Sequence, residues 1–212
     1  MYKKANISNS VIRRLPRYYR FLVDLKGSET KVISSGQLSE KMQLTASQIR
    51  QDFNCFGEFG QQGHGYSIEK LYHEISNILG FNRQYKTILV GYGNIGCAVI
   101  SQIDFSQLGF KLMCIFEKRE ELIGQKAFGV DIKDIDVLEQ ACKELEPEVA
   151  ILCIPKSDAV FVAQRLHDMG VKAFWNFSDL DINKLYDDVI VENVHTVDSL
   201  MTLCFRLSNK VS

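Results

Sequence analysis

The chain has 212 residues, room for one large or two small domains. Its 46% hydrophobic and 24% charged residues are the balance of an ordinary soluble globular protein, and no apolar stretch approaches the ~20 residues needed to span a bilayer. The net charge of −1 hides an asymmetry: residues 1–85 carry 12 Lys and Arg against 7 Asp and Glu, residues 86–212 carry 13 against 19, so a basic part suited to a polyanion precedes an acidic remainder.

Lys3 and Lys4 are followed by polar residues, not by the apolar core of a secretory leader, and a cytoplasmic location is expected. The six cysteines (Cys55, Cys97, Cys114, Cys142, Cys153 and Cys204) form no C-x-x-C pair, and four of them sit inside apolar runs. Buried reduced thiols are expected, not disulfides or a metal site.

The first predicted helix is capped by Asn9 or Ser10, carries Val11, Ile12, Leu15, Tyr18, Tyr19, Leu22 and Leu25, and ends at Gly27. Pro16 implies a kink there or a later start. A short capped helix over Ser34–Met42 and another from Leu44 to Phe53, capped by Thr45, make a helix-turn-helix pattern. Gly57, Gly60, Gly63 and Gly65 supply the turns of a small β-wing, and a helix follows from Ser67 to Leu79. Ser47, Gln48 and Arg50 stand near the start of the second short helix, where polar side chains reach base edges and phosphates. Arg13 and Arg14, with Arg17 and Arg20, are candidates for phosphate contacts, and Gln61, Gln62 and His64 for a wing lying along the backbone or in a minor groove. The alternative for this part is a protein-interaction module with a solvated basic face.

Beyond a linker at 81–85, strands are predicted at 87–90, 111–116, 149–154, 172–175 and 189–191, alternating with helices at 95–103, 134–145 and 157–169. That alternation predicts an α/β fold with a doubly wound parallel sheet. The first strand runs into Gly91-Tyr92-Gly93-Asn94-Ile95-Gly96, the G-x-G-x-x-G turn of dinucleotide folds. Gly91 makes the tight turn, Gly93 lets the backbone approach a pyrophosphate, and Gly96 lets the helix pack on the strand. The second strand ends at Glu117, where such a unit places an acid on the ribose hydroxyls, and Lys118 follows it. Pro155 closes a buried strand at the ligand edge of the sheet. Asn176 and Ser178, after the next strand, are candidates for amide contacts to a nicotinamide or for a capped turn. An acid/base dyad is not found: His64, His73, His167 and His195 show no partner in the sequence pattern. That weighs against the competing class, a small NAD(P)-dependent oxidoreductase with an accessory helical domain. Residues 197–207 form an apolar helical stripe with no partner left in their own domain.

Taken together, these segments resemble the Rex family of bacterial redox-sensing transcriptional repressors over nearly the whole chain. The resemblance is carried by Ser10 to Arg20, with its Arg14-Leu15-Pro16 and Tyr18-Tyr19-Arg20, by Ile33-Ser34-Ser35, and by Ala46 to Asp52. Phe56-Gly57-Glu58-Phe59-Gly60 with Gly63, Gly65 and Tyr66, then Gly93 to Gly96, Gly109-Phe110, Trp175-Asn176-Phe177 and Val191 to Val194, complete it. It implies a winged-helix DNA-binding domain over 1–80, a Rossmann NAD(H)-binding domain over 86–194 and a C-terminal helix over 195–212 swapped between the subunits of a homodimer. It further implies binding to a palindromic operator that NADH releases, with NAD⁺ the weaker ligand and no chemistry on the nicotinamide. Several positions depart from the family pattern: Glu117 stands where the acid is commonly Asp, Gln102 where many relatives carry a tyrosine, His195 aligns with an aspartate, and no Ala-Pro follows Asn176-Phe177. A Rex-like protein with lost or rewired sensing is therefore the second alternative.

Overall fold

The computed structural model describes residues 7–56 and 65–209, and the chain divides into two compact units, Met1–Asn82 and Arg83–Ser212. The first unit holds α1 (Asn9–Lys26), β1 (Val32–Ile33), α2 (Ser35–Met42), α3 (Ala46–Asn54), β2 (Tyr66–Ser67) and α4 (Ile68–Ile78). Val11, Leu15, Tyr18 and Leu22 recur at helical spacing and bury one face of α1, which packs on α4 through Leu71 and Ile75. The helix runs unbroken through Pro16, which lies on its exposed side, so the late start does not occur. The Ser34 side chain and Gln37 cap α2 reciprocally, the Thr45 hydroxyl accepts from Gln48 N to cap α3, and Ser67 caps α4. β1 and β2 pair antiparallel, Ile33 opposite Tyr66, at the base of the predicted wing. The wing residues Gln61, Gln62 and His64 lie outside the described residues.

The second unit is a seven-stranded sheet: β3 (Tyr85–Val90), β4 (Phe110–Glu117), β5 (Lys126–Ala127), β6 (Val130–Asp134), β7 (Val149–Leu152), β8 (Ala173–Asn176) and β9 (Ile190–Asn193). The spatial order is β5-β6-β4-β3-β7-β8-β9, parallel throughout except for β5 against β6. With β5 set aside this is the doubly wound order 3-2-1-4-5-6, whose switch point falls between β3 and β7. Alternate strand residues serve opposite faces. Ile88, Val90, Phe116 and Leu152 bury against α6 (Leu138–Leu145) and α7 (Lys156–Asp168), while Leu89, Ile115 and Ile151 bury against Val99 and Ile100 of α5 (Asn94–Gln102).

Four details differ from the sequence expectations. The N-cap of α1 is Ser8, with no side-chain capping bond, and Asn9 and Ser10 lie inside the helix. The β5–β6 hairpin was not predicted; its turn residues Phe128 and Gly129 both take positive φ, 51° and 83°. The helix predicted from 134 opens as a 3-10 turn, Ile135–Val137, capped by the Asp134 carboxylate on Asp136 N, before α6 starts at Leu138. The strand predicted to reach 154 ends at Leu152. The last helix, α8 (Thr196–Ser208), forms as predicted, and every residue in it is exposed, including Val197, Leu200, Met201 and Phe205.

Candidate functional site

At the carboxyl edge of the sheet, over the switch point, a cleft of about 460 Å³ is lined by Gly91 and Gly93 from the glycine turn, by Glu117, Lys118 and Arg119 after β4, and by Pro155, Ser157 and Asp158 at the start of α7. Ile135, Phe161 and Val162 give it an apolar wall. The three glycines divide their work. Gly91 sits at φ +94°, and a Cβ there would lie 2.5 Å from the Cys153 carbonyl oxygen. A Cβ on Gly96 would collide with the Gly91 carbonyl, which is how the N-terminus of α5 comes so close to β3. A Cβ on Gly93 meets nothing within 4 Å; it would project into the cleft. Gly91 and Gly96 therefore serve the fold, and Gly93 keeps open the space in front of the α5 N-terminus, where unpaired N–H groups favour an anion.

Glu117 is 7% exposed. Its Oε2 accepts from Tyr92 N at 2.9 Å and its Oε1 from Lys118 N at 2.7 Å and Arg119 N at 3.2 Å. Burial pushes the carboxyl up, but these backbone N–H groups, with the Arg119 guanidinium, outweigh it and hold the acid below its ordinary range. The Arg119 guanidinium also donates to Tyr92 O at 2.7 Å. The acid is thus ionised and tied to the glycine turn, with the Arg119 guanidinium bond at 3.4 Å the longest of its hydrogen bonds. The Tyr92 side chain is half-buried among the core residues beside α5, and Asn94 and Ile95 are exposed on the first turn of that helix.

Asn176 and Ser178 do not line the cleft. Asn176 is 1% exposed; its Nδ2 donates to Leu180 O and Asn193 Oδ1, and its Oδ1 accepts from the backbone N–H and hydroxyl of Ser178. Of the two roles read for this segment, the geometry is that of the capped turn: no amide hydrogen is left over for a ligand. The cleft residues Asp136, Asp158, Phe161 and Arg165 are not among the sequence candidates: Asp136 enters from the 3-10 turn before α6 and the other three from along α7, and what faces them depends on strand order. Two of the described histidines have acidic partners. His167 stacks on Tyr186 and contacts Asp188 at 2.8 Å, and His195 Nδ1 lies 3.2 Å from Asp179; neither lines the cleft. Among the described residues, no cluster of three or more His, Cys, Asp or Glu could hold a metal ion, and no helix is long and apolar enough to cross a membrane. All six cysteines are free. Burial pushes the Cys142 thiol to about 11 and the Cys153 thiol to about 12, and Cys55, Cys97 and Cys204 are exposed.

In the first unit α3 buries Ile49, Asp52 and Phe53 and presents Ser47, Arg50, Gln51 and Asn54 together on its exposed side. Arg50 Nη1 rests 3.1 Å from Ser35 Oγ of α2. Arg13 is exposed on α1. Arg14, expected at the phosphates, is committed elsewhere: Nε and Nη2 each donate to Asp52 at 2.7 Å, a bidentate pair with a carboxylate only 2% exposed. The Tyr18 hydroxyl donates to the same carboxylate at 2.7 Å, and burial together with that bond holds the phenol far above its ordinary value. This triad pins α3 to α1 and so sets the angle at which Ser47 and Arg50 face outward.

Comparisons with known proteins agree with both halves. The model of a putative DNA-binding protein N-terminus matches residues 6–54, and that of a CoA binding domain matches residues 82–180. The redox-sensing transcriptional repressor Rex of Thermoanaerobacter pseudethanolicus is 49% identical over 210 residues, 99% of this chain and 93% of that one. The chain belongs to the Rex family. Rex of Clostridium beijerinckii is likewise 49% identical, over the full length of both chains. Among solved structures, RSP in complex with β-NAD⁺ and operator DNA superposes with a TM-score of 0.89 at 47% identity, covering 98% of this chain and 95% of that one. RSP in complex with β-NADH superposes with a TM-score of 0.88 at 45% identity, covering 98% and 97%. RSP is itself described as a Rex-family repressor.

Proposed function

We propose that this chain is a transcriptional repressor that binds a palindromic operator as a homodimer and is released when NADH occupies the cleft, so that operator occupancy reports the NADH/NAD⁺ ratio. The observation that carries the reading is the open space at Gly93, set at the N-terminus of α5 and beside an ionised acid, in a chain whose relative RSP has been solved with NADH and, separately, with NAD⁺ and operator DNA. The cradle fits a pyrophosphate, because a side chain at Gly93 would fill it. The α5 N–H groups would hold the phosphates, Glu117 would accept from the ribose in place of Arg119, and the apolar wall at Ile135, Phe161 and Val162 would take the adenine. Tyr92, Asn94, Ile95 and Pro155 would frame the turn.

Ser47, Gln48 and Arg50 would read the major groove, with Arg13 and the wing residues Gln61, Gln62 and His64 on the backbone. In this reading the protein's part is binding and orientation; among the described residues the cleft is lined by no histidine. Domain limits of 1–80, 86–194 and 195–212 suit this division of labour. A homodimer is supported by two uncovered apolar surfaces in the second unit. One is α8; the other is a hollow of about 350 Å³ lined by Ile103, Phe105, Phe110, Trp175 and Ile190. An NADH-bound dimer need only favour a spacing of its two α3 helices that no longer matches half-sites one helical turn apart.

Fluorescence polarisation of a labelled inverted-repeat operator, titrated with NADH, NAD⁺ and NADPH, tests the proposal. Nanomolar binding released by NADH is expected. Binding that NADH leaves intact refutes the sensor, and no binding at all returns the oxidoreductase alternative.

A further inference from the structure

Two cations follow the acid at the end of β4, and a cation at that place is what accommodates the 2′-phosphate of NADP in dinucleotide folds. Here neither is free. The Arg119 guanidinium is bonded to Tyr92 O and Glu117. The Lys118 ammonium lies 2.8 Å from Asp158 Oδ2, reaching from the end of β4 to the first turn of α7, and both residues line the cleft. Arg165, the third cation of the lining, is held by Glu139 in a bidentate pair. An incoming nucleotide therefore meets the carboxylates of Glu117, Asp136 and Asp158, and every cation facing it is already engaged.

The Lys118–Asp158 pair is not explained by stability. Its side chains are 68% and 38% exposed, and ion pairs that open to water contribute little to folding. Its position gives it another use. Lys118 is the residue next to the ribose acid, and a lysine pairs with a phosphate as a mobile point charge. Asp158 engages that charge and adds its own carboxylate to the lining of the cleft.

We propose that Asp158 is a specificity-determining residue that excludes 2′-phosphorylated dinucleotides from the cleft, by holding Lys118 away from the ribose and by adding a negative charge. The inference rests on the reading of the cleft as a dinucleotide site. Asp158→Asn removes one repulsive charge from the cleft and frees the attractive charge of Lys118. In water-like surroundings these changes together amount to roughly a tenfold gain in relative affinity.

The test is calorimetric titration of the full-length protein with NADH and with NADPH, comparing wild type, Asp158→Asn, Lys118→Met and the double variant, with thermal melts to confirm that each folds. In Asp158→Asn the ratio of NADPH to NADH affinity rises about tenfold, and high salt shrinks the gain. Lys118→Met alone lowers the ratio, because it leaves the Asp158 carboxylate uncompensated, and in the double variant it removes most of the gain. A double variant close to wild type, between two single variants that move in opposite directions, is the signature of two charges acting on the same phosphate. A ratio in Asp158→Asn within twofold of wild type overturns the role of Asp158 while leaving the dinucleotide site intact. A gain that survives in full in the double variant overturns the part given to Lys118. A wild-type protein that binds neither nucleotide overturns the site and this inference together.

Discussion

Gly93→Ala separates ligand binding from folding, and the structure sets the size of both effects. Gly93 has φ −78° and ψ −162°, an extended backbone open to any residue, and its Cβ would meet no atom within 4 Å. The apo protein should therefore keep its stability to within about 0.5 kcal/mol. Gly91→Ala is the contrast: φ of +94° and a Cβ 2.5 Å from the Cys153 carbonyl and 2.6 Å from Ile154 Cγ2 leave no room. The left-handed backbone costs about 1–2 kcal/mol and the overpacking about 1–3, so this variant loses roughly 2–5 kcal/mol. For NADH the order reverses in kind. A methyl group in the Gly93 cradle keeps the pyrophosphate from the α5 N–H groups, and one lost charge-assisted hydrogen bond, about 1.5–3 kcal/mol, is a loss of at least ten- to hundredfold in affinity. Urea denaturation of the apo proteins and calorimetric NADH titration read the two effects separately. Wild-type NADH affinity in a well-folded Gly93→Ala would refute the reasoning, because the open space would then not be where the phosphates lie. Gly96→Val cannot serve the same purpose, since its side chain collides with the Gly91 carbonyl and disturbs the fold.

Three further outcomes follow from the same geometry. Asp52→Ala strands the partly buried Arg14 guanidinium and the Tyr18 hydroxyl, so it should destabilise the first unit by about 3–5 kcal/mol in denaturant melts while NADH titration of the second unit is unaffected. A loss below 1 kcal/mol would mean that the triad does not pin α3. Arg50→Ala should weaken operator binding at least tenfold without changing the melt, the cost of a base or phosphate contact on the exposed side of α3; unchanged affinity removes Arg50 from the interface. The third concerns pH. Hydrogen bonds from Lys172 and His167 lower the Asp188 carboxyl from 3.8 to about 2. Because the folded value is the lower one, the stabilisation is complete above the unfolded value and is lost as pH falls toward 2. The difference in Tm between wild type and Asp188→Asn should thus be present at neutral pH and close between about pH 4 and pH 2; a gap constant through that range contradicts the assignment.

How much was legible in the sequence depended on the range of the interaction. The glycine turn, the capped helix from Ser34, the cap at Thr45 and the stripe of α8 are local patterns, and all appear where the spacing placed them. The β5–β6 hairpin escaped because its strands are short and its turn puts Phe128, a residue that rarely takes positive φ, where Asn or Gly would have marked it. Arg14 was misassigned for a different reason: its partner Asp52 is 38 residues away, and a lone arginine on a basic helix reads the same whether it faces solvent or a buried carboxylate. Asn176 likewise carried two readings until its bonds to Leu180 and Asn193 were on view. The apolar cleft wall from Phe161 and Val162 required knowing that α7 starts beside the glycine turn, a consequence of β7 lying next to β3.

The central claim is that NADH and operator compete through one conformational equilibrium. Linkage requires that the factor by which NADH weakens operator binding equal the factor by which operator weakens NADH binding. The direct measurement is NADH affinity of the full-length protein, free and then saturated with an inverted-repeat operator. A loss of roughly a hundredfold or more on the operator, matched by an equal loss of operator affinity in saturating NADH, is the predicted result. Equal NADH affinity in the free and operator-bound protein would contradict the account.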